Sequence, residues 1–114
     1  MVKLAANLSM MFTEVEMLDR FDAAANTGFK GVEYLFPYDF PAEQIKERLE
    51  KNGLKQVLFD LPAGDWDGGD RGLAALPDRV EEFRDGVGMA IEYAKTLDCG
   101  QLTCLAGIPP AGTD

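Results

Sequence analysis

An α/β fold with a parallel sheet is what the sequence predicts, and two observations carry it. Short apolar segments alternate with helical patterns in the order βαβαβαβ, an order that calls for parallel strands joined by helical crossovers. The first strand starts, at residues 3, 31 and 55, are spaced like the repeating unit of a (β/α)8 barrel. Four strands and three helices make half of such a barrel. A doubly wound sheet is the competing architecture. Its G-x-G-x-x-G turn is absent, because residues 7–13 read NLSMMFT.

Residues 3–8, KLAANL, read as the first strand, which closes at polar Asn7 and Ser9. Thr13 with Glu16 three residues later has the form of a capping box. Met17, Leu18, Phe21, Ala24 and Ala25 follow at helical spacing, and Asn26 to Gly28 ends that helix. GVEYLF (31–36) is the second strand, halted by Pro37. Pro41 suits the first position of a second helix, whose apolar face is Ile45 and Leu49 and whose cap is Gly53. KQVLFDL (55–61) is the third strand. A third helix begins near Arg79 and runs to Leu97 through Val80, Phe83, Val87, Ile91 and Ala94, before a fourth strand, QLTCLAG (101–107).

Composition removes several classes of function. A formal charge of −9 argues against nucleic acid, which is met by cationic surface. There is no histidine, so Ser–His–Asp and Cys–His catalysis and histidine metal ligation are excluded within the chain. Cys99 and Cys104 make neither a disulfide framework nor a zinc pattern, and a reduced, cytoplasmic setting is expected. No apolar run approaches the length of a membrane span, and residues 1–12 are too interrupted for a signal peptide. DGGDRG (67–72) lacks the lysine and the immediate helix of a phosphate loop.

The stretches ANLSMMFTE (6–14), GFKGVEYLFPYDFPAEQI (28–45), LPAGDW (61–66), GDRGLAALPDR (69–79), EFRDGV (82–87) and CLAGIPPAG (104–112) together resemble the hydroxypyruvate isomerase family. That family belongs to the xylose-isomerase-like TIM barrels and is near the 2-oxo-tetronate isomerases. The resemblance implies that hydroxypyruvate and 2-hydroxy-3-oxopropanoate are interconverted through an enediolate, by two carboxylates and a divalent metal, magnesium by preference. A full barrel takes roughly 250 residues. Residues 1–114 are therefore expected to be one partial domain, the N-terminal half. By the resemblance, the metal ligands and both catalytic glutamates lie on strands five to eight. No catalytic or metal-binding residue is expected in this chain, and the chain alone is expected to be inactive.

The candidate substrate-binding residues are Asn7, Glu33, Asp60, Trp66 and Arg71. Glu33 sits between Val32 and Tyr34, so it either lines a polar barrel mouth or is paired with Arg or Lys. Asp60 ends the third strand where relatives often have Asn, and Asn7 ends the first, with a turn-forming role as its alternative. Thr103 falls where Asn is expected, so nothing is carried over to it. In the loop after Pro62, Trp66 offers an apolar anchor. Arg71 offers a planar fork for a substrate carboxylate, or else an internal pair with Asp65, Asp67 or Asp70. Cys104 reads as a small buried hydrophobe. The alternative to an enzyme half is a non-catalytic binding or assembly module. Its exposed strand edges would drive self-association or pairing with a separate C-terminal half.

Overall fold

The computed structural model describes residues 1–113. Strands β1 (Ala5–Asn7), β2 (Gly31–Glu33), β3 (Lys55–Asp60) and β4 (Leu102–Thr103) alternate with helices α1 (Arg20–Thr27), α2 (Ala42–Asn52) and α3 (Val80–Leu97). The strands lie in the order β1-β2-β3-β4 and every pairing is parallel. A doubly wound sheet reverses its strand order at a switch point; this sheet does not, so the half-barrel reading holds. No helix among the described residues is long and apolar enough to cross a membrane.

The helices cover one face of the sheet. Ala6, Leu8 and Val32 meet Phe21, Ala24, Ile45, Leu49 and Ala90 there, all nearly inaccessible to solvent. Tyr34 packs edge-on to Phe21 with ring centroids 5.9 Å apart. Gly28 and Gly53 close α1 and α2 in the left-handed conformation, with φ of 107° and 63°.

Several boundaries differ from expectation for local reasons. Thr13 does not cap α1, which starts at Arg20 after a 3-10 turn over Met17–Asp19. Arg20 itself holds the preceding loop, donating to the carbonyls of Val15 (3.0 Å) and Leu8 (2.7 Å). Phe12 turns the chain at φ 60° and packs against Phe29. Pro41 is the N-cap of α2 rather than its first residue, and its carbonyl accepts from Gln44 and Ile45. In α3 the buried positions are Gly86, Ala90 and Leu97, whereas Val80 and Ile91 are exposed. Pro62 lies against Gly86, and that close approach decides which face of α3 points inward. β4 is short, and Cys104 beyond it is exposed rather than buried.

Candidate functional site

The carboxyl ends of all four strands carry polar side chains: Asn7 on β1, Glu33 on β2, Asp60 on β3 and Thr103 on β4. Register sets them in two pairs. Asn7 pairs with Glu33, and Asp60 pairs with Thr103. The Asn7 amide donates to Glu33 Oε1 at 3.4 Å, while its Oδ1 accepts from the Ser9 backbone at 2.9 Å. Asn7 thus takes up its turn-forming alternative through the Ser9 backbone and meets Glu33 on the neighbouring strand. The expected alternative for Glu33, an ion pair with Arg or Lys, is not found: among the described residues no cation lies within 4 Å of it.

An irregularity in β3 puts Asp60 in this row. Val32 pairs with Gln56 and Glu33 with Leu58, which leaves Val57 as one extra residue. Strand side chains alternate faces, so Gln56 and Phe59, three apart, should face opposite ways. Both lie on the helix side: Gln56 with Leu49 and Leu97, and Phe59 in the core beside Tyr38. The bulge reverses the alternation and leaves Asp60 on the face shared by Glu33 and Asn7.

Asp60 is only 5% exposed. Burial pushes its carboxyl up; a hydrogen bond from the Thr103 side chain draws it partly back, and the Glu33 charge raises it further. The Tyr38 hydroxyl caps the Asp60 backbone carbonyl, which fixes the strand end below the loop.

The loop over residues 61–76 folds on its own hydrogen bonds. Asp65 N–H donates to Asp70 Oδ2 at 2.7 Å, and Gly68 N–H to Asp65 Oδ1 at 3.0 Å. The internal ion pair foreseen for Arg71 belongs instead to Arg79, whose guanidinium reaches Asp70 at 2.8 Å and Glu82 at 2.9 Å. Arg79 signals itself in sequence only as a residue beside a helix start. Arg71 donates to the carbonyls of Trp66 (2.9 Å) and Asp70 (2.7 Å), with its guanidinium carbon 4.1 Å from the centre of the Trp66 ring. Arg71 and Trp66 are therefore a single stacked unit. Phe36 meets the indole edge-on, with centroids 5.0 Å apart. Trp66 also lines a cleft of about 370 Å³ with Phe36, Tyr38, Pro62 and Met89. The strand-end residues do not line that cleft, so the five candidates form two clusters: Asn7, Glu33 and Asp60 on the sheet, Trp66 and Arg71 on the loop.

Magnesium asks for several oxygen ligands in octahedral array. The described residues contain no group of three Asp, Glu, His or Cys side chains able to hold a metal. Glu33 and Asp60 do not by themselves make such a cage.

Comparison with known proteins agrees with this architecture. The family model for the xylose isomerase-like TIM barrel matches residues 21–114. The chain is 52% identical to hydroxypyruvate isomerase of Escherichia coli over 98% of its own length and 43% of that protein's. It is also 52% identical to 2-oxo-tetronate isomerase of Pectobacterium atrosepticum, over 100% of this chain and 44% of the relative. A crystal structure of an AP endonuclease, family 2, from Brucella melitensis superimposes with a TM-score of 0.95 at 53% identity, covering 100% of this chain and 44% of that one. The chain thus spans less than half the length of these relatives. With four sequential parallel strands, polar residues gathered at their carboxyl ends and a family match over residues 21–114, the chain belongs to the xylose isomerase-like TIM barrel family.

Proposed function

We propose that this chain is the substrate-facing first half of an isomerase that interconverts hydroxypyruvate and 2-hydroxy-3-oxopropanoate. The observation that carries the reading is the 52% identity to a hydroxypyruvate isomerase across 98% of the chain. In the proposed reaction a proton leaves the hydroxymethyl carbon of hydroxypyruvate, an enediolate forms, and a proton returns to the former carbonyl carbon. The proton-transferring carboxylates are assigned to the second half of the barrel, and so are the ligands of the divalent ion, magnesium by preference.

This chain's residues bind and orient. Arg71, held over the Trp66 ring and bonded only to carbonyls, keeps charge available for the substrate carboxylate. Asn7 and Glu33 order the hydroxyl groups of the small acid at the barrel mouth. The free thiols of Cys99 and Cys104 suit a reduced, cytoplasmic setting. A second reading, 2-oxo-tetronate isomerase, is favoured by relatives of that name at 52% and 50% identity and uses the same proton transfer on a longer acid. The name of the Brucella structure points to nucleic acid, which a chain with a charge of −9 is poorly made to approach.

The test is to combine the purified chain with a separately expressed second half, weigh the product by light scattering, and assay both acids with and without magnesium. A one-to-one complex with metal-dependent turnover supports the proposal, and the preferred acid selects between the two readings. A chain that ignores the second half and gains no activity overturns it in favour of a binding or self-associating module.

A further inference from the structure

Two glutamine side chains converge on the bulge of β3. Gln56 Nε2 donates to the Leu58 carbonyl at 2.8 Å, and Gln101 Nε2 donates to the Val57 carbonyl at 3.1 Å. These are carbonyls of the extra residue and its successor, where the regular ladder is interrupted. Gln56 is 1% exposed, and its Oε1 has no hydrogen-bond partner. A buried amide with an orphaned oxygen is a costly occupant of a place beside Leu49, Leu54 and Leu97. Leucine would fill that place without the orphan. What glutamine adds is the bond to the bulge.

We propose that Gln56 and Gln101 are positioning residues whose amides hold the two carbonyls of the β3 bulge, so that the bulge presents Asp60 to Glu33 and Thr103. One clamp comes from within the strand and the other from the segment entering β4, so the two strands are fixed together at the step that reverses side-chain alternation. The importance of this for substrate rests on the isomerase reading. The geometry does not, and it is tested without turnover.

The experiment uses the 114-residue chain with Gln101→Ala, Gln56→Leu and Gln101→Lys, the last retaining a donor. Amide exchange is followed at Asp60 and Leu61, whose N–H groups donate to Leu35 and Thr103 carbonyls. The effect of Glu33→Gln on the Asp60 carboxyl titration is read in each background by carbon NMR. Gln101→Ala is expected to lower protection at Asp60 and Leu61 about five- to tenfold, the scale of one hydrogen bond, with α1 and α2 unchanged. The response of Asp60 to Glu33→Gln should shrink in the same variant and return in Gln101→Lys. Unchanged protection and undiminished coupling in Gln101→Ala would overturn the proposal. So would an equal loss of protection in every element, which marks general packing. Should Gln56→Leu fail to fold, the exposed Gln101 position decides alone.

Discussion

Asp60→Asn should make this protein more stable at neutral pH, and the gain should disappear in acid. Asp60 is 5% exposed and has no cation within 4 Å among the described residues. Burial first, and the Glu33 charge after it, raise its carboxyl above the ordinary value, with Thr103 opposing them in part. An acid whose pKa is raised by folding is bound more tightly by its proton in the native state. It supports the fold fully below its unfolded value of about 4 and loses that support as pH rises through the native value. Asparagine keeps the shape and has no charge to desolvate, and its amide can donate to Glu33. Relief of one imperfectly paired buried group is worth about 1–2 kcal/mol, or roughly 4–8 °C per kcal/mol in a small domain. Urea melts followed by circular dichroism at pH 7 and pH 3.5 measure it. A variant less stable than the parent at pH 7, or equally improved at both pH values, would refute the electrostatic reasoning.

Two further outcomes follow from the loop. Gly72 sits at φ 115°, and a Cβ there would run into the Leu105 carbonyl, so Gly72→Ala should cost at least about 2 kcal/mol in the same melts. Arg79→Ala should raise the rate of proteolytic cleavage within residues 64–72 severalfold by releasing Asp70. In the parent, the Asp65 backbone N–H and then Arg79 hold the Asp70 carboxyl below its ordinary range. Protection of the loop should therefore persist through the usual carboxylate range, and fail only as pH falls through that lowered value.

Much of the fold is legible from local rules. Gly28 and Gly53 announce helix ends because glycine takes the left-handed cap at no steric cost, whereas α3 ends on a left-handed Asp98 that the pattern does not announce. Ile45 and Leu49 announce the buried face of α2 by spacing. α3 misleads because apolar residues occur on more than one of its faces. Gly86 and Ala90 face inward through close approach to neighbouring elements, which no spacing records.

The alternation of strands and helices, and the placing of Asn7, Glu33 and Asp60 at strand ends, are legible in sequence because each depends on residues near in the chain. The parallel half-barrel follows from that order and from the family resemblance. Pairing partners depend on distance in space instead. Contacts across the fold give Asp70 to Arg79 and not to Arg71, and set Arg71 over Trp66. The pairing of β2 with β3 likewise shows that one extra residue in β3 turns Asp60 toward Glu33. A bulge moves a side chain across the sheet without changing the composition of the strand, so a reading by periodicity passes over it.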